Sequence, residues 1–263
     1  MHNSDNMWKT ISIIEASILV IFAVFTVNAI GVLPEGCIAT GLDGRYLCWQ
    51  EPTIPIETLK FDLSHWKLQI PGPLDINPIG DYTSKYFYYG DGGEMIFWVD
   101  SSEKGATENS SYVRSELREM LDPSDKTVNW LLRGTHTLTA ELEVIKAGAP
   151  KITVLQIHGI KTNGDNAPPL LKVVVEGEKL YALLKKDSSG DNEEKILLQE
   201  GVKKFATEIK IKDYQLTIKV NNTLKLSRSL LFWKYYNYFK AGNYPQATSG
   251  ISEVRFYDLR VSH

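Results

Sequence analysis

From residue 60 onward, apolar side chains recur mainly at every second position, a regularity that restricts most of the chain to strands. Gln215–Val220 (QLTIKV) shows it plainly, with Leu216, Ile218 and Val220 on one face. Similar runs occupy residues 95–99, 138–144, 152–160, 171–175, 180–184, 207–211 and 253–261, punctuated by Gly, Pro and Asn. Many short strands with such turns predict a sandwich or barrel. Residues 196–205 are expected to carry one short helix. After Val220, face parity favours a three-residue loop, Asn221-Asn222-Thr223, that pairs Val220 with Leu224 and keeps Leu224 and Leu226 inward. Residues 161–169 (KTNGDNAPP) read as the longest loop, a candidate wall over a cleft, and residues 187–194 (DSSGDNEE) as a solvated hairpin tip.

The chain has 263 residues, 43% hydrophobic, which is enough apolar material for one sizeable core and excludes a disordered tail. Its formal charge of −3 (29 basic against 32 acidic residues) argues against a nucleic-acid partner.

The first thirty residues have the tripartite pattern of a secretory signal. Residues 1–10 are polar, residues 16–27 form an apolar run, and Val27-Asn28-Ala29 supplies small residues for cleavage after Ala29. Secretion without stable membrane association is expected. The alternative is an uncleaved N-terminal anchor, against which Glu15 inside the apolar stretch counts. The expected organisation is a signal at 1–29, an extension at 30–59 and a catalytic domain at 60–263. Cys37 and Cys48 lie in the extension. In an oxidising compartment their simplest fate is one disulfide, worth roughly 3 kcal/mol in the chain-entropy model, and the alternative is two free thiols. Asn109 and Asn221 head glycosylation sequons.

Glycine-rich phosphate loops, nucleophile elbows, Cys-x-x-Cys and His-Glu-x-x-His are all missing from the sequence. Three other segments carry polar residues at strand spacing. In residues 112–120 (YVRSELREM), Arg114, Glu116 and Arg118 share one face, and two guanidiniums around Glu116 would keep it ionised. In residues 155–159 (LQIHG), Gln156 and His158 share a face, and histidine suits proton transfer. In residues 238–246 (YFKAGNYPQ), Tyr238, Lys240, Gly242 and Tyr244 align, and Gly242 would let a ligand approach the backbone. An aromatic-rich strand is expected over residues 231–239.

Together these segments offer cations for a carboxylate, an amide donor and two proton-transfer groups. They lack the two well-separated acids that glycoside hydrolysis normally needs. The chemistry that fits is β-elimination on a uronate polymer. Hydrogen bonds neutralise the carboxylate, a base takes the C5 proton, and an acid protonates the departing O4.

The motifs RSELR, QIH and YFKAGNYPQ resemble the signature blocks of alginate lyases of polysaccharide lyase family 7. Residues 61–71 (FDLSHWKLQIP), 106–120, 134–138 and 254–263 (VRFYDLRVSH) extend the likeness over about residues 60–263. The resemblance implies a β-jelly-roll sandwich of two antiparallel sheets with a concave substrate cleft. An endo-acting, monomeric lyase is expected, and the mechanism requires no metal or other cofactor because side-chain cations can neutralise the carboxylate. Arg114 and Gln156 would neutralise the substrate carboxylate, His158 would be the base for guluronate and Tyr244 the acid. For mannuronate Tyr244 would serve as both base and acid. Glu116, Arg118, Lys240, Tyr238 and Gln246 would bind and position the anionic polysaccharide, and Ile157 would go with acceptance of guluronate. Pro245 stands where the family commonly has Asn, and residues 37–57 have no counterpart. A lyase for another uronan, such as a glucuronan, and a non-catalytic carbohydrate-binding jelly roll are the competing readings.

Overall fold

The structure, a computed structural model, describes residues 61–72, 74–106, 110–161 and 164–263, and the backbone of three short strands upstream. Those three belong to a unit spanning Met1–Glu57. In it β1 (Ala23–Thr26), β2 (Cys37–Ala39) and β3 (Arg45–Cys48) pair antiparallel in the order β1-β3-β2, with Cys37 in register with Cys48. The rest of the expected signal and extension, the two cysteine side chains and Asn109 lie outside the described residues.

The second unit, Thr58–His263, is all β among its described residues. Its strands are β4 (Trp66–Ile70), β5 (Leu74–Ile76), β6 (Phe87–Tyr89), β7 (Met95–Asp100), β8 (Ser115–Glu119), β9 (Thr135–Ala147) and β10 (Ile152–Ile160). They continue with β11 (Asn166–Glu176), β12 (Lys179–Lys185), β13 (Glu193–Glu200), β14 (Lys204–Lys212), β15 (Gln215–Val220), β16 (Thr223–Ser229), β17 (Tyr236–Pro245) and β18 (Ile251–Ser262). One antiparallel sheet has the order β13-β12-β11-β10-β17-β8-β4-β5 and the other β16-β15-β14-β9-β18-β7-β6. This is the jelly-roll sandwich.

Alternation explains the layering. Along β15 the burial pattern strictly alternates, and Leu216, Ile218 and Val220 are fully buried. Between the sheets Phe87, Phe97 and Phe256 meet at ring-centre distances of 5.2 and 5.3 Å. Burying such a side chain stabilises by roughly 1.5–3 kcal/mol. In β10 and β17 nearly every residue is buried, because one face meets this core and the other is covered by polar neighbours.

Several expectations are corrected. Residues 196–205 are not a helix: they form the end of β13, a turn at Gly201 and the start of β14. Pairing of β13 with β12 decides this, turning Leu198 inward and leaving Leu197 47% exposed. The loop after β15 is the two-residue Asn221-Asn222, both at positive φ (49° and 63°), pairing Val220 with Thr223. A bulge then restores parity. Lys219 opposes Leu224 but Ile218 opposes Leu226, so Leu226 is buried while Leu224 is 55% exposed. The expected long loop is shorter, since β11 already begins at Asn166 and its prolines sit where the β10 register shifts. The aromatic strand begins at Tyr236, not residue 231, because Leu230–Trp233 closes a turn.

A buried polar chain locks the sheets together. Glu119 accepts the Phe239 backbone N–H at 2.8 Å, the Trp130 indole at 2.9 Å and His263 Nε2 at 2.6 Å. His263 in turn meets His136, Nδ1 to Nδ1, at 2.8 Å.

Candidate active site

Three strands that are distant in sequence lie side by side at the centre of the larger sheet, in the order β10-β17-β8. Their registers align polar residues into rows. Gln156 faces Lys240, Lys240 faces Arg118, and Arg118 faces Lys67 on β4. One step along, Gly242 faces Glu116, which faces Gln69; on the other side His158 faces Tyr238.

Glu116 is fully buried at the centre. Its Oε1 accepts Gln156 Nε2 at 2.5 Å, and its Oε2 accepts Arg114 Nη1 at 3.1 Å and Lys240 Nζ at 2.5 Å. Burial pushes the Glu116 carboxyl up, but Lys240 and Arg114 beside it outweigh that and hold it below its ordinary value. Burial pulls the Lys240 ammonium down to about 8, against the pull of Glu116. The Arg-Glu-Arg cluster expected from spacing is therefore corrected: Arg114 and Lys240 flank Glu116. Arg118 instead donates to the backbone carbonyls of Glu119 and Lys126 and to Asn129 Oδ1, and lies 4.1 Å over the Tyr238 ring.

His158 stacks on Tyr238, with ring centres 5.1 Å apart and planes 14° apart. Burial, then the Lys240 charge, pushes the imidazole down to about 3, so it is neutral at neutral pH. Its Nδ1 lies 2.9 Å from the Gly159 carbonyl. A carbonyl only accepts, so Nδ1 carries the proton and Nε2 keeps a free lone pair. The Tyr238 hydroxyl is pushed up to about 12, mainly by burial, and stays protonated.

Tyr244 reaches the same face by alternation from Lys240 and Gly242, although the register against β10 shifts there. Leu155 opposes Ala241 and Thr153 opposes Tyr244, so β17 spends one extra residue there. The same alternation turns Asn243 inward, like Phe239 and Ala241, onto the carbonyls of Phe97 and Ser252. The Tyr244 ring lies 3.9 Å from Arg114 Cζ, and its hydroxyl lies 2.8 Å from Ser110 Oγ. Gly242 is required for a reason other than ligand approach. Its φ is 151°, and a Cβ there would sit 2.5 Å from the Ser115 carbonyl oxygen of β8. Strand β8, not a ligand, occupies that space.

The contacts thus run Tyr244–Arg114–Glu116–Gln156, with His158 two residues further along β10 on the same face. Gln246 donates to Thr153 Oγ1 at 3.2 Å, beside the Tyr244 end. The Nε of Arg114 is buried without an acceptor, so this guanidinium has donor capacity left. Gln69, which accepts from Lys240 at 2.8 Å, and Lys67, paired with Asp75, were missed by sequence reasoning. The alternation in WKLQI, polar Lys67 and Gln69 against buried Trp66, Leu68 and Ile70, carried that signal. Nothing in the sequence pointed to Ser110. Among the described residues, no group of three His, Cys, Asp or Glu side chains is placed to hold a metal.

A family model described as alginate lyase matches residues 61–263. The chain is similar in structure to alginate lyase A1-II′, a member of polysaccharide lyase family 7. The two are 39% identical with a TM-score of 0.73, covering 78% of this chain and 96% of that one. That lyase has also been solved in complex with substrate (GGMG). An alginate lyase from Pseudomonas aeruginosa is 29% identical, with a TM-score of 0.70 and 77% and 100% of the two chains covered. An alginate lyase of Klebsiella pneumoniae is 32% identical over 98 residues, a match spanning 30% of this chain and 32% of that protein.

Proposed function

The chain belongs to the alginate lyases of polysaccharide lyase family 7, and on that premise we propose that it cleaves alginate by β-elimination within the cleft built on β8, β10 and β17. The observation that carries this reading is the unbroken contact chain Tyr244–Arg114–Glu116–Gln156 with His158 alongside. Arg114 and Gln156 hydrogen-bond the uronate carboxylate and stabilise the charge that builds on it. His158 Nε2 takes the C5 proton of guluronate. The C5 electron pair forms the C4=C5 double bond, the C4–O4 bond breaks, and the Tyr244 hydroxyl protonates O4. On mannuronate the proton lies on the leaving-group side, and Tyr244 serves both steps. The products carry an unsaturated uronate at the non-reducing end. No step calls for a metal.

We assign Tyr238, Arg118, Lys240 and Gln246 to the polymer's path, and include internal cuts by a monomer in the proposal. The N-terminal pattern supports secretion, and the register of Cys37 with Cys48 supports a disulfide in the extension. Non-reducing mass analysis of the secreted protein tests both: a product starting at Ile30 and lighter by two hydrogens is expected.

The activity test follows near-ultraviolet absorbance on mannuronate-rich, guluronate-rich and mixed alginate, with glucuronan in parallel. Absorbance rising on alginate with early release of mixed oligomers is expected. Folded protein that binds alginate without any absorbance change would instead support a carbohydrate-binding module, and cleavage of glucuronan alone would move the substrate.

A further inference from the structure

Glu116 exposes no surface, yet Arg114, Gln156 and Lys240, from three segments of chain, spend donors on it. Lys240 is held a second time by Gln69 on β4. A carboxylate so enclosed cannot hydrogen-bond a sugar, and its sign opposes that of a uronate. This argues against the substrate-binding role expected for it. What it does is hold its partners. It also cancels one of the two positive charges of Arg114 and Lys240, leaving a net charge that matches one carboxylate.

We propose that Glu116 is a positioning residue, an internal counter-anion that orients Gln156 and Lys240 and leaves the Arg114–Lys240 pair with one unit of net positive charge at the reacting sugar. The inference rests on the uronate-lyase reading and adds a division of labour to it. Orientation of Gln156 serves the transition state, so its loss falls on kcat. The cancelled charge acts on the polymer before reaction, so uncovering it tightens ground-state binding. The Glu116 charge also favours the His158 imidazolium, whereas Lys240 and Arg114 both disfavour it and the protonated Tyr238 stacks on the ring. Removing the carboxylate therefore makes His158 harder to protonate.

The test is Glu116→Gln. Its kcat should fall at least tenfold while KM stays level or falls, and the acid limb of kcat/KM should move to lower pH. Because uncovered cations could impair folding, Glu116→Gln/Lys240→Met restores the charge balance. In that variant KM should return toward the wild-type value while kcat stays low. Calorimetric titration of a guluronate oligomer into His158→Asn, with and without Glu116→Gln, reads binding without turnover. Tighter, more salt-sensitive binding with Glu116→Gln is expected. Weaker binding or a KM that rises with kcat unchanged would mean that Glu116 touches the sugar. A lower melting temperature with an unmoved pH profile would mean a merely structural carboxylate. Either result overturns the inference while leaving wild-type cleavage intact. A wild type that cuts no uronan removes the parent reading instead, and the binding titration still decides the charge argument.

Discussion

Arg114 Cζ lies 3.9 Å from the ring centre of Tyr244, so a cation intended for the substrate carboxylate rests on the face of the proposed acid. This stacking uses the ring and not the hydroxyl. Tyr244→Phe should therefore keep Arg114 in place and bind oligosaccharide normally, while kcat falls about 100- to 10,000-fold, the usual range for a general acid–base group. Retained turnover in a folded Tyr244→Phe variant would remove Tyr244 from the chemistry.

His158→Asn separates the two epimers. Guluronate blocks should be cut about 100-fold more slowly or worse, whereas mannuronate blocks should lose much less, since Tyr244 serves both steps there. Equal losses on defined blocks, followed by product mass, would show that the base is shared.

The depressed His158 value has a stability consequence. Its folded value of about 3 lies below the value near 6.5 of an unfolded histidine. The unfolded chain therefore binds the extra proton first. The stabilising contribution is complete above about pH 6.5 and is lost as pH falls toward 3. Melting temperatures measured from pH 7 to 4.5 should drop less steeply for His158→Asn than for the wild type. Parallel curves would contradict the shift.

Gly242→Ala places a methyl group 2.5 Å from the Ser115 carbonyl and 2.7 Å from Glu116 Cα, both backbone atoms of β8. The strands must separate, at a cost of about 1–3 kcal/mol for overpacking. Urea unfolding should register this, and kcat should fall with it because β8 carries Glu116.

His263→Ala removes the imidazole that caps Glu119. The buried carboxylate loses one partner and His136 another, which should cost about 1–3 kcal/mol. An unchanged unfolding midpoint would mean that the chain Glu119–His263–His136 adds nothing to stability.

Much of this was legible before any coordinates. Apolar runs of strand length placed β10 and β15 with their observed bounds, with strict alternation in β15, and three polar motifs at strand spacing located Arg114, Gln156, His158, Lys240 and Tyr244. Local signals failed where two conformations share one pattern. Residues 196–198 (ILL) suit a helix as well as a strand, and pairing with β12 chose between them. The turn at Asn221-Asn222 obeyed backbone geometry, and a bulge one pair away repaired the parity that had argued for a longer loop.

Strand identity, the faces of each strand and the residue types able to neutralise and deprotonate a uronate are properties of the chain alone, because they depend on side chains two residues apart. Which cation meets Glu116, that Gln69 braces Lys240, and that Ser110 touches Tyr244 were decided only by tertiary structure. Those contacts join segments up to 171 residues apart, and they depend on inter-strand register. Register is set by the pairing and packing of the whole sandwich at once, and no local spacing encodes it.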